Sequence, residues 1–245
     1  MIKPGRLPKG YSPYENIFYI LKRELERIND LLKSNLSEVT LKYRSERKDK
    51  EEKLNEYAKK VKELQEKYLK EGMEPDEVHC NASVEALPIL GMYWDLFHDT
   101  IENLDLIYKQ TVDQLIKSTI ISLFSLVEYN LSKAVDIAKA ISSDKTRYFS
   151  TSISELENFE EIIYISNCIE ELERIKFIRN KIIHENSSLL IEGIKEELSF
   201  YADCWTAEEN RFIFINQNLV DVLVDNTKKL FKSVLNKFDN TKYYG

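Results

Sequence analysis

The distribution of glycine and proline constrains the fold more than any other feature of the sequence. The chain contains only six glycines and five prolines, and Pro4, Gly5, Pro8, Gly10 and Pro13 all lie within the first thirteen residues. Proline removes a backbone hydrogen bond and glycine weakens a helix, so the remainder of the chain favours long helices. The sequence therefore predicts an all-α protein that begins with a flexible arm over residues 1–13.

Two apolar seams with coiled-coil spacing follow this arm. The first consists of Phe18, Leu21, Leu25, Ile28 and Leu32, and the second of Leu54, Tyr57, Val61, Leu64 and Tyr68. Both have the 3, 4, 3, 4 spacing of an a/d seam, and a polar stretch at residues 34–37 interrupts the first. We therefore expect a charged helical extension over residues 14–72, in the form of coiled-coil arms or a helical hairpin.

The second seam lies within a run of charged residues. Residues 42–71 contain eleven lysines or arginines and eight acidic residues. Such a mixture is typical of a solvated helix face with i,i+4 ion pairs, and an RNA-binding arm is the alternative interpretation.

A helical bundle is expected over residues 86–240. Its central feature is the segment STIISLFSLVEYNLSKAV, which is apolar on several sides and therefore belongs in the middle of a bundle. A loop is predicted at residues 142–152, followed by a helix that starts near SELENFEE and continues to residue 184. Alternating apolar residues predict a short β-hairpin near residues 198–215, and Asn216 is the predicted N-cap of a final helix.

Composition and motifs exclude several classes of function. A net charge of −7 and a pI near 5.3 argue against non-specific electrostatic binding of nucleic acid by the whole surface. Any contact with RNA or DNA therefore requires a local basic patch. The three cysteines form no C-x-x-C pair, which disfavours disulfides and a zinc site. The sequence contains no phosphate-binding glycine loop and no apolar stretch of the ~20 residues that span a bilayer. A cytoplasmic protein without a cofactor or a metal is therefore expected.

The segment FIRNKIIHEN, residues 177–186, is the strongest candidate for a functional site. From Arg174 to His184 the chain has four basic residues and no acidic residue. Basic residues complement the negative end of a helix dipole, and this alone would explain the charge asymmetry. On a straight helix, the step of five positions from Arg179 to His184 turns about 500°, which leaves the two side chains about 140° apart. A productive pair therefore needs either a turned helix end at His184 or two copies of the segment that meet in a symmetric dimer.

At Arg179-Asn180-Lys181-Ile182-Ile183-His184 the sequence resembles the HEPN superfamily. The signature of that family is an arginine, a polar residue that is usually Asn, Asp or His, and a histidine after four to six intervening residues. The resemblance covers roughly residues 100 to 240 and includes the preceding apolar helix. It implies a dimeric helical bundle with a composite, metal-independent ribonuclease site, as in toxin, abortive-infection and CRISPR-associated proteins.

The resemblance also assigns roles to individual residues. Arg179 and His184 would be catalytic, Asn180 would support them, and Glu128 would orient them from the earlier helix. The candidate RNA contacts are Lys176, Lys181 and Asn186.

Related toxins that are paired with a minimal nucleotidyltransferase commonly carry tyrosine where this chain has Asn186, which sets the chain apart from that group.

An antitoxin or an activating protein is an expected partner, together with RNA and a second copy of the chain. The alternative function is a non-catalytic helical interaction or regulatory module of the same fold.

Overall fold

A computed structural model describes residues 13–91, 101–139, 141, 145–158, 166–184, 199–208 and 212–239. Most of the predicted N-terminal arm, residues 1–12, lies outside these ranges, and Pro13 is the first residue of a helix. Within the described ranges, no helix contains an apolar stretch of the length that a bilayer requires.

The described residues form six α-helices, two short 3-10 helices and one hairpin, which confirms the predicted all-α class. The helices are α1 (Pro13–Lys70), α2 (Pro75–Ala86), α3 (Ile101–Ala138), α4 (Phe149–Glu157), α5 (Ser166–His184) and α6 (Gln217–Asp239). The hairpin joins β1 (Trp205–Glu208) to β2 (Phe212–Ile215) in antiparallel register, with Trp205 opposite Ile215. The 3-10 helices are Leu87–Leu90 and Ala202–Cys204.

The first seventy residues differ from the predicted hairpin, because α1 is one uninterrupted helix through residues 34–37. Serine and asparagine cost at most about 0.7 kcal/mol each in a helix, and no glycine or proline lies among them. The helix ends instead at Gly72, whose φ of +84° is accessible to glycine without strain. The Gly72 amide donates to the Leu69 carbonyl (3.2 Å) and the Met73 amide to the Tyr68 carbonyl (3.1 Å), which together form a Schellman motif.

The chain divides into two compact units that do not coincide with the predicted boundaries at 14–72 and 86–240. The first unit contains residues 1–34 and 113–245, and the second contains residues 35–112. In the first unit, α1 contributes the buried side chains of Leu21, Leu25 and Leu32. The start of α1 therefore belongs to the bundle and not to a separate extension.

The second unit has its own small core. Val61 and Leu64 of α1 pack with Ala82 and Ala86 of α2, and two tyrosines cover this cluster. Near the start of α3, the ring of Tyr108 stacks on Tyr43 of α1 with 4.2 Å between their centroids.

The first unit is built around α3, as the apolar segment predicted. The buried positions of this helix include Ile116, Ile120, Leu123, Phe124, Val127 and Leu131, all at most 1% exposed. A buried ion pair between Asp113 and Lys117 lies earlier on the same helix. The Asp113 carboxylate also accepts a hydrogen bond of 2.9 Å from the Ile215 amide, which fixes the end of β2. Burial raises the pKa of Asp113, although Lys117 and the amide act in the opposite direction.

The region between α3 and α5 corrects a second prediction. Residues 149–152 belong to α4 and not to a loop, and α4 ends at Glu157, so α5 is a separate helix. Ile162 and Ile165, which were expected in one continuous helix, lie outside the described residues.

The N-cap of α6 is confirmed. The Asn216 side-chain oxygen accepts a hydrogen bond of 2.9 Å from the Asn218 amide.

Candidate functional site

Helix α5 carries most of the candidate residues in the first unit. Its buried face consists of Leu172, Ile175, Ile178 and Ile182, all at most 4% exposed. This spacing of three and four residues holds one side of the helix against the core. Arg179 lies at the edge of that face, whereas His184 lies on the solvent side.

The Arg179 guanidinium is held by three neighbours. One terminal nitrogen, Nη1, donates to the Asn180 side-chain oxygen at 2.8 Å, and the other, Nη2, lies 3.5 Å from Glu128 Oε2. The central carbon of the guanidinium is 5.9 Å from the centroid of the Phe124 ring. The side chain keeps 20% of its surface exposed, so the group is oriented but still accessible.

The Nε atom of Arg179 completes this description. It is buried and has no hydrogen-bond partner among the described residues. A guanidinium has five N–H donors, of which two are used here and the Nε hydrogen is buried, so the two remaining Nη hydrogens are the ones that an acceptor from outside the chain could meet.

Glu128 connects Arg179 with the start of α4. The second carboxylate oxygen, Oε1, accepts a hydrogen bond of 3.2 Å from the backbone amide of Phe149, the first residue of that helix. The N-cap residue Tyr148 makes no side-chain hydrogen bond at this helix end, so the Glu128 carboxylate supplies the cap. A negative charge there also complements the helix dipole. Glu128 is only 8% exposed, and one buried carboxylate thus fixes two elements.

Two lysines of α5 lie beside aromatic rings. The Lys176 ammonium is 3.4 Å from the Ser150 hydroxyl and 5.9 Å from the Phe149 ring centroid. The Lys181 ammonium is 5.7 Å from the centroid of Phe177. Both cations lie on the same helix as Arg179, with Lys181 about one turn and Lys176 just over two turns before His184.

His184 is exposed and is the last residue of α5. The helix is continuous up to His184, so its end is not turned in a way that would direct the imidazole towards Arg179. No hydrogen bond joins the two side chains in the described part of the chain. The structure therefore brings together Arg179, Asn180 and Glu128 but leaves His184 apart from them. Asn186 lies outside the described residues.

Phe124, Phe149 and Ser150 were not predicted as site residues. Phe124 and Phe149 are fully buried and pack with their ring centroids 5.6 Å apart, so the sequence presents both as ordinary core residues. Their proximity to Arg179 and Lys176 depends on contacts between helices that are distant in sequence, for which no local pattern exists.

Acidic, histidine and cysteine side chains of the described ranges do not form a cluster of three or more that could hold a metal ion. No protein-family model matches the sequence, and neither curated proteins nor solved structures give a match.

Proposed function

We propose that the protein is a metal-independent endoribonuclease of the HEPN type, with an active site that a second copy of the chain completes. The observation that carries the proposal is the arrangement of Arg179, which Asn180 and Glu128 orient while its side chain stays accessible. This arginine lies five residues before an exposed histidine on the same helix. The proposal includes a biological role as a toxin or phage-defence effector that an antitoxin or an activating protein controls.

The directions of the two side chains favour a composite site. Arg179 and His184 point about 140° apart on α5, so one copy cannot present both to the same phosphate. Consider a two-fold axis perpendicular to α5 that lies halfway between Arg179 and His184, both in position along the helix and in direction around it. Such an axis places Arg179 of one copy at the same height as His184 of the other. The face through which this axis would pass carries Asn180 and Ile183. Ile183 is 42% exposed, so it is available for a contact with the second copy.

The chemistry follows from the side chains. A neutral His184 imidazole accepts the proton of a ribose 2′-hydroxyl, whose oxygen attacks the adjacent phosphorus. The bond from phosphorus to the 5′-oxygen then breaks, and a protonated imidazole donates its proton to that leaving oxygen. The Arg179 guanidinium neutralises the charge that grows on the phosphate oxygens. The products are a 2′,3′-cyclic phosphate and a 5′-hydroxyl, and DNA is not cleaved because it lacks the nucleophile.

Cleavage of RNA in EDTA tests the proposal. The wild-type protein should cut single-stranded RNA, whereas Arg179→Ala and His184→Ala should lose at least about a hundredfold in rate. His79→Ala and Arg44→Ala are matched controls, because both side chains belong to the second unit and both residues are exposed. An inactive wild type across varied RNAs, or equal activity of all four variants, contradicts the proposal.

Mixing the two inactive variants tests the composite site separately. A heterodimer of Arg179→Ala with His184→Ala retains one Arg179 beside one His184, so it should recover about half of the wild-type activity per dimer. Two sites formed within single chains would give no recovery. Sedimentation of the mixture establishes that heterodimers are present.

The second candidate function is the non-catalytic interaction module. It is favoured by five large apolar side chains that are 42–64% exposed in the second unit: Leu41, Leu54, Leu69, Val84 and Ile107. Exposed apolar groups of this size are typical of contact surfaces when they are contiguous. If this candidate is correct, Leu54→Ser with Val84→Ser abolishes the effect of the protein on cell growth, and His184→Ala leaves that effect intact.

A further inference from the structure

We infer that the exposed ring of Phe177, with Lys181 beside it, is a base-stacking subsite for single-stranded RNA. The inference rests on the proposed function for the identity of the ligand. It adds a position, two helical turns from His184, at which the strand is held during cleavage.

The exposure of Phe177 is the first observation. The ring is 39% exposed, and the core contacts of α5 are made by Leu172, Ile175, Ile178 and Ile182 on another side of the helix. A phenylalanine on the solvent side of an amphipathic helix presents part of a flat apolar face to solvent. Such a face is suited to stacking with any nucleobase.

The neighbouring charge is the second observation. Lys181 lies one turn after Phe177, and its ammonium is 5.7 Å from the ring centroid. An aromatic ring and a cation together can hold the base and the phosphate of one nucleotide. Residues 174–184 carry four basic residues and no acidic residue, and two of the four, Arg174 and Arg179, lie beside Glu171 and Glu128. The two lysines add local positive charge that favours a polyanion although the chain is acidic overall.

The third observation is the distance from Phe177 to His184, the candidate catalytic residue. Phe177 and His184 are seven residues apart, so they lie within about 20° of the same direction and about 10.5 Å apart along α5. That separation corresponds to roughly three stacked nucleotide steps of 3.4 Å. A base on Phe177 would therefore belong to a nucleotide a few positions from the cleaved phosphate.

Charge also decides between RNA and a second copy as the group that covers this ring. Two α5 helices that met directly through the Phe177 ring would bring Lys181 of one copy towards Lys181 of the other, because Lys181 lies about 40° from Phe177 around the helix. Like charges at close range oppose such a contact, whereas a phosphate chain between the copies neutralises them.

Binding measurements in a cleavage-deficient background test the inference. A fluorescently labelled single-stranded oligoribonucleotide is titrated with His184→Ala protein at several salt concentrations. Adding Phe177→Ala should weaken binding by about 5- to 140-fold without changing the salt dependence. Phe177→Trp should retain affinity. Lys181→Ala should reduce the slope of log affinity against log salt by about 0.7.

Phe200 provides a matched control. Its ring is 57% exposed and lies 3.7 Å from the guanidinium carbon of Arg174, so it is another exposed phenylalanine beside a cation of α5. Phe200→Ala should bind RNA as tightly as its parent. Equal weakening by Phe177→Ala and Phe200→Ala overturns a specific subsite, as does unchanged binding by Phe177→Ala.

The outcomes separate this inference from the proposed function. RNA binding that depends on Phe177 in a protein that never cleaves RNA supports the subsite and contradicts the nuclease. Cleavage and binding that are unaffected by Phe177→Ala contradict only the subsite. If Phe177→Ala converts a dimer into a monomer in sedimentation while each chain binds RNA as before, a second copy covers the ring and the inference is wrong.

Discussion

Replacing Glu128 with glutamine separates the two tasks of that side chain. Glutamine keeps an oxygen that can accept the hydrogen bond from the Phe149 amide, so the cap of α4 is retained. It removes the negative charge that lies 3.5 Å from Arg179. The variant therefore tests whether the charge itself holds the guanidinium in place.

The loss of stability can be estimated from the burial of the pair. Breaking a fully buried ion pair costs about 3–5 kcal/mol, and losing a hydrogen bond to a charged group costs about 1.5–3 kcal/mol. The side chains of Arg179 and Glu128 remain 20% and 10% exposed, so solvent can compensate in part and the lower range applies. For a chain of this length, that loss lowers the melting temperature by about 3–12 °C. Glu128→Ala also loses the cap, which adds about 0.5–2 kcal/mol.

The effect on cleavage should exceed the effect on folding. Without its carboxylate partner the guanidinium samples other positions, and a displacement of about 1 Å in a catalytic group can reduce the rate about a hundredfold. The rate is measured well below the melting temperature, with urea unfolding followed in parallel. Glu155→Gln is the control. Glu155 forms an ion pair of 3.1 Å with Arg147 and does not contact Arg179. The control variant should lose less stability, because Arg147 keeps its ion pair with Asp136 (2.6 Å), and it should keep its cleavage rate.

Two results would refute this reasoning. A Glu128→Gln protein that unfolds within about 0.5 kcal/mol of wild type would show that the charge pair contributes nothing measurable. Equal losses of cleavage rate in Glu128→Gln and Glu155→Gln would show that Glu128 stabilises the fold but does not position Arg179 for cleavage.

Three further predictions concern the fold. Asp113→Asn removes the carboxylate from the buried Lys117 ammonium and should cost about 3–5 kcal/mol in urea unfolding; a loss below about 1 kcal/mol would contradict the described burial. Asn216→Ala should lower stability by about 0.5–2 kcal/mol, whereas Asn216→Ser, which keeps a capping oxygen, should lose less, and equal losses would argue against the side-chain cap of α6. A thiol reagent should modify the exposed Cys80 in the native protein but reach Cys204 only on unfolding, because Cys204 is buried and burial raises the pKa of its thiol. Mass spectrometry of the labelled peptides checks the order, and prior labelling of Cys204 would contradict it.

The elements that could be predicted from the sequence are those whose determinants are local. The segment around Leu123 is apolar on several faces, and Asn216 stands directly before an amphipathic run, so the central helix and the last helix were both predictable. The predicted helical hairpin within residues 14–72 was wrong, because the serines and the asparagine at residues 34–37 weaken a helix only slightly. Burial of Leu32 just before this stretch contributes more than such small propensities.

Contacts between distant parts of the chain account for what the sequence did not predict. Helix α4 begins at Phe149 because its cap comes from Glu128, which lies 21 residues earlier on another helix. The same glutamate is 51 residues from Arg179, and only the family resemblance suggested that the two might interact. The periodicity of one helix carries no information about which polar group of another helix will face it.

The division of α1 between the two compact units has a practical consequence for dissecting the protein. The boundaries of both units fall inside helices, after Ser34 in α1 and after Val112 in α3, and not in linkers. A fragment that starts after residue 72 would lack Leu21, Leu25 and Leu32 and would expose the apolar surface that they cover. Each such leucine is worth about 2–5 kcal/mol when truncated to alanine, so this fragment should not fold. A minimal version of the first unit has to retain the residues of α1 up to Ser34, joined by a designed linker to residue 113 and beyond.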